Sequence, residues 1–172
     1  MKNNFYLKDL EQDLKYILIS FLTTLTFGIL TGMIYVYYTT NSTPIGVIEH
    51  YKGAEENSYE NWDEFLDKPP KIEKYLHDML ETTHTHVTSF AIISILLGMI
   101  FYFNSIIIGK LKLFIIIEPF ISTLITFTSL WVMRYLSDSF VYIVMISAGL
   151  LYPCWFIMII TSIYELLFKE KK

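Results

Sequence analysis

The residues best suited to chemistry lie close together in HDMLETTHTHVTSFAIISILLG, residues 77–98. Three of the chain's four histidines, His77, His84 and His86, stand where polar sequence gives way to an unbroken apolar run. On a helix, His77, Glu81, His84 and Thr88 share one stripe, which continues into Ala91 and Gly98. That phase turns His84 into a bundle and points His86 away, so the two should not chelate one metal from a regular helix. Upstream, IEHYKG adds Glu49 and His50, and the intervening segment is long enough to fold His50 back over the others. Neutral imidazoles with a carboxylate suit zinc, copper, iron or nickel. The expected metal site is therefore His50, His77, Glu81 and His84, with Glu49, His86 and Arg134 as neighbouring ligand-binding groups. Two plainer readings stand beside it. Histidine and threonine suit a membrane interface, ring in lipid and polar tip in water, and a histidine cluster can respond to pH. A b-type haem would need a second axial ligand from His50, Met133 or Met145, because only this apolar run carries histidine.

Glu118 is the second chemical feature. IIIEPFIST places a carboxylate in an apolar run, on the face of Ser122, Thr126 and Ser129. An ionisable group at that depth suggests function. The competing reading makes Pro119 the start of the regular helix, with Glu118 at its positive N-terminus. Glu118 and Arg134 are about 24 Å apart along a helix, so the carboxylate and the histidines occupy opposite ends. Arg134, the only arginine, suits a pair with Glu81, Asp138 or an anionic ligand, or a position among headgroups. Trp131 and Tyr135 suit interfacial anchoring. No nucleophile–base–acid set and no phosphate-binding loop is present, and THTH lacks the spacing of a zinc protease. No catalytic residue is assigned. The single Cys154 allows no intrachain disulfide and no thiolate cluster.

The elements that must position these residues follow from composition. Of 172 residues, 53% are hydrophobic and 17% aromatic. The mean hydropathy is +0.44, too high for an ordinary soluble domain. The apolar residues form four blocks long enough to span a bilayer, at 16–38, 87–108, 113–133 and 140–168. The fold class is an all-α integral membrane protein, an antiparallel four-helix transmembrane bundle with a small acidic extracytoplasmic cap. The first block is too long for a signal peptide and has no cleavage pattern after it.

Lysines flank the start of span one, the link between spans two and three, and the end of the chain. The Thr39–Thr83 segment carries ten acids against four lysines. Positive short loops stay in the cytoplasm. Both termini are therefore expected inside a bacterial inner membrane and the acidic segment outside. Residues 1–15 read as an amphipathic cytoplasmic lead-in, 39–86 as the extracytoplasmic segment and 169–172 as a tail. ENSYENWDEFLDKPP places Trp62, Phe65 and Leu66 at helical spacing. Gly28 and Gly32 form a GxxxG pair, expected to pack against another helix. Gly149 and Tyr152–Pro153 suggest a contact and a kink. Nothing favours nucleic acid as a partner.

TPIGVIEHYKG, LETTHTHVTSFAIISILLG and LWVMRYLSDSFVYIVMISAGL together resemble a family of small bacterial inner-membrane proteins with four spans. The resemblance rests on EHYKG, on TTHTH at the entry to span two, and on Trp-x-x-Arg-Tyr at the exit of span three. It implies the same topology and transfers no functional residue. The expected function is an outward-facing His/carboxylate site that binds a metal or ligand or serves redox chemistry. The alternatives are an accessory subunit docked through Gly28–Gly32 in a homo-oligomer or larger membrane complex, a haem-b electron-transfer protein, and a small transporter built on Glu118. The lipid bilayer is the partner common to all four.

Overall fold

The computed structural model describes residues 5–54 and 71–169. ENSYENWDEFLDKPP and most of the acidic residues of the expected cap lie outside the described residues. The described residues contain no strand. Among the described residues five α-helices carry the fold: α1 (Gln12–Thr40), α2 (Pro44–Lys52), α3 (Leu76–Tyr102), α4 (Gly109–Tyr135) and α5 (Val141–Phe168). One-turn 3-10 helices cover Leu7–Asp9 and Asp138–Phe140. The helices α1, α3, α4 and α5 are each long and apolar enough to cross a membrane. The all-α, four-span membrane bundle expected from composition is the observed architecture.

Span two was expected over 87–108, whereas α3 begins at Leu76 and ends at Tyr102. Hydropathy could not mark that end, because Phe103 and Ile106–Ile108 keep the sequence apolar. Buried Asn104 marks it instead. Its side-chain oxygen accepts from the Ile106 and Ile107 amides at 2.8 and 3.1 Å. Its amide donates to the Thr161 carbonyl of α5 at 3.0 Å. A side chain that satisfies backbone groups in this way offers an alternative to continuing the helix.

The same end of the bundle is closed by a segment expected to lie along the membrane surface. Leu7 is buried in a single 3-10 turn, and its amide donates to the Phe103 carbonyl at 2.9 Å. Fully buried Glu165, near the end of α5, accepts from the Ser105 and Lys8 amides. Two backbone donors thus satisfy a carboxylate that would otherwise be costly to bury. The N-terminal segment and the end of α5 meet here, so α1 and α5 run in opposite directions. This is the terminal end of the bundle, and the histidines lie at the other.

At the histidine end, α1 turns sharply into α2. Asn41 and Ser42 both adopt left-handed φ, 50° and 51°. The Thr43 side chain caps α2 by accepting from the Gly46 amide at 3.0 Å, and Pro44 opens the helix. A Cβ on Gly46 would stand 1.9 Å from the Thr40 carbonyl oxygen. Only glycine lets the two backbones approach this closely.

The tightest pair is α4 with α5, while α1 is the least buried of the long helices. Ser122, Thr126 and Ser129 of α4 are all buried, and Thr126 shares a 2.7 Å hydrogen bond with Ser147 of α5. The apolar centre gathers Leu97, Phe101, Trp155, Met158 and Ile159. Trp155 donates to Ser94 at 3.1 Å and so ties α5 to α3. Helix α5 continues through Pro153, which is exposed, and Gly149 has open space where a contact was expected.

Candidate functional site

A cavity of about 550 Å³ lies between α1, α3, α4 and α5, beneath α2. Its polar lining gathers at the histidine end: Tyr35, Thr39 and Thr40 from α1, His50 and Tyr51 from α2, then Lys74, Thr82 and His86. Its deeper walls are mostly apolar, with Leu25, Ile29, Phe90, Ile93, Leu151 and Trp155, and also include Thr126 and Tyr152.

The roof is fastened by ion pairs. Lys52 of α2 pairs with Asp138, and Arg134 pairs with Glu73, each at hydrogen-bond contact. Arg134 Nε also donates to the Lys74 carbonyl at 3.3 Å. Lys71 Nζ meets Glu49 Oε2 at 2.9 Å. The Lys74 amide donates to the Tyr51 carbonyl, and the Ala54 amide to the Lys71 carbonyl, each at 3.0 Å. Glu49 and Arg134 therefore hold the roof and do not line the cavity. Arg134 pairs with Glu73, a partner the sequence did not suggest.

The histidines depart from the helical phase read in the sequence. His86 lines the cavity, its ring centroid 5.8 Å from those of both Phe90 and Phe127. Its Nδ1 bonds the Thr82 carbonyl at 2.9 Å, which leaves Nε2 for another partner. His84 and His86 are both exposed, and of the two only His86 lines the cavity. The buried residues of α3 are Met79, Ser94, Leu97, Gly98 and Phe101, so Gly98 is interior as expected while Ala91 is exposed. Small residues set the expected phase. The interior takes both small and large residues, and Phe90 stands edge-on to Trp155 at 5.0 Å.

The expected four-residue metal site is not assembled as one group. His77 and Glu81 do meet, with Asp78 as third member, and one donor atom from each lies within 4.8 Å of the others. His77 and Glu81 are exposed and Asp78 is half-buried, on a face separate from the cavity that receives His50.

Gly28 and Gly32 share a face with Tyr35, yet among the described residues no helix packs on the two glycines. Both glycines line the cavity, and a Cβ on either would meet nothing within 4 Å. Glu118 lies inside α4, more than two turns from its start at Gly109. The helix passes through Pro119, which overturns the reading of Glu118 as a helix N-terminal residue.

Electrostatics at the cavity mouth follow from burial. Burial, then Lys74 and Lys71, lowers the pKa of His50 to about 4, so its imidazole is neutral at pH 7. Such a ring offers one donor and one acceptor. Burial, aided by Tyr35, pushes the Tyr51 hydroxyl up to about 12. Burial also lowers the Lys74 pKa, with Asp78 opposing. The Lys74 ammonium sits 4.7 Å from the Tyr51 ring centroid. No carboxylate lines the cavity among the described residues.

Residues 41–172 match the Aq_1264_TM transmembrane helical domain family. The chain belongs to that family. The matched region spans α2 to α5, whereas α1, which supplies one cavity wall, precedes it. No match was found among curated proteins or solved structures. The four apolar helices agree with the four-span proteins that the sequence resembles. Lys74, Tyr51 and Thr82 had no sequence signal as site residues; only the folding of α2 against α1, α4 and α5, with the Lys74 amide bonded to the Tyr51 carbonyl, brings them together.

Proposed function

We propose that this protein binds a lipid-like amphiphile in a bacterial cytoplasmic membrane, with the histidine end facing outward. One observation carries this reading: a single cavity has most of its polar groups at one end and mostly apolar walls along its depth. An amphiphile has the same division. Neutral His50, the Tyr51 hydroxyl and the Lys74 ammonium supply donors and positive charge for an acceptor-bearing head, and His86 Nε2, its Nδ1–H given to the Thr82 carbonyl, supplies an acceptor. Leu25, Ile29, Ile93, Leu151 and Trp155 supply apolar contact for the tail. A second reading places a divalent transition metal at His77, Asp78 and Glu81, supported by the convergence of their donor atoms.

One preparation tests both readings. Detergent-purified protein is analysed by native mass spectrometry and metal analysis, beside the Lys74→Ala/His86→Ala variant and His77→Ala. A co-purifying amphiphile that the double variant loses supports the cavity reading. A stoichiometric metal lost in His77→Ala, with no amphiphile, replaces it with the second. A Soret band would replace both with haem.

A further inference from the structure

A second cavity, a groove of about 800 Å³, opens on the lipid-facing side between α4 and α5. Its walls are apolar: Leu113, Phe114, Ile117, Ile121 and Ile125 from α4, with Ile143, Ile146 and Leu150 from α5. Glu118, Ser122 and Ser147 complete the lining. Glu118 is only 6% exposed. Its Oε1 accepts from the Ser122 hydroxyl, while Oε2 is buried without a hydrogen-bond partner. The Cys154 thiol of α5 interacts with the same carboxyl group, but a thiol is a weak donor. Lys110 is the other ionisable residue lining the groove. It stands about 12 Å away along the helix, too far for an ion pair.

A carboxyl group at this depth is costly unless it has a partner. Here one oxygen lacks a partner, and the space beside it has apolar walls. We infer that Glu118 is a binding site for a lipophilic organic cation that enters the α4–α5 groove sideways from the bilayer. The cation's charge would be drawn to the Glu118 carboxyl group, and its apolar surface would meet the isoleucines. The site is separate from the histidine cavity, and its residues differ from that cavity's.

The test uses full-length protein in detergent and titrates tetraphenylphosphonium by calorimetry. Tetraphenylborate, of similar shape and opposite charge, is the control. The expected result is saturable binding of one tetraphenylphosphonium per chain, with no comparable binding of tetraphenylborate. Glu118→Gln should weaken binding at least about tenfold. Ile121→Trp should do the same by filling the groove from its exposed wall, without disturbing the core. His86→Ala should leave this binding unchanged, which separates the result from the fate of the amphiphile reading. Equal binding of the two ions, or native binding in both groove variants, would overturn the inference. Either result would leave the groove to an acyl chain or a second copy of this chain.

Discussion

Replacing Gly32 with leucine separates two meanings of the glycine pair. As a helix-packing motif, Gly28–Gly32 would lie against a neighbouring backbone. A leucine there would overpack the contact at a cost of about 1–3 kcal/mol. In the structure, however, a Cβ on Gly32 meets nothing within 4 Å and projects into the cavity. Leucine then removes the helix-interior penalty of glycine, about 1 kcal/mol, and the melting midpoint rises by a few degrees. Its four side-chain carbons displace a similar length of ligand tail. At about 0.8 kcal/mol per methylene this removes about 3 kcal/mol of burial, so affinity falls about 100-fold. Thermal unfolding and titration of a fluorescent fatty acid, both in detergent, read the two effects. A lower midpoint would restore the packing reading. Affinity within about threefold of native, at an unchanged midpoint, would show that the amphiphile does not occupy this cavity.

Two further predictions concern the roof. Gly46→Ala forces the Thr40 carbonyl to move away from the new Cβ, for which only 1.9 Å is available. The expected loss is about 2–3 kcal/mol, or roughly 5–10 °C in melting midpoint; an unchanged midpoint would refute the close approach. His50 makes stability depend on pH. Its folded pKa of about 4 lies below the ordinary histidine value of 6.5, which holds in the unfolded chain. Between those values the unfolded chain takes up a proton that the folded state refuses, so stability falls as pH drops from 6.5 toward 4 and levels off below. Above pH 6.5 both states are neutral and the contribution is flat. His50→Gln should remove this slope; a variant with the native slope would refute the burial of His50.

The amino-acid sequence determined what a one-dimensional average can carry. Four long apolar blocks require four helices, because backbone groups in lipid must be satisfied within the segment. The polar stripe Ser122–Thr126–Ser129 gave the inward face of α4 correctly, because polar side chains in an apolar helix have nowhere else to be satisfied. The phase of α3 was not legible in the same way. Nearly every position around its apolar part suits either lipid or core, so of the two small residues that suggested the interior Gly98 is buried, beside Ser94, Leu97 and Phe101, while Ala91 is exposed. The end of α3 depended on Asn104 reaching Thr161, a residue distant in sequence. The cavity mouth likewise exists only because Gly46 lets α2 fold back against α1, α4 and α5. That fold holds His50, Tyr51, Lys74 and His86 around one space, and no spacing in the chain encodes it.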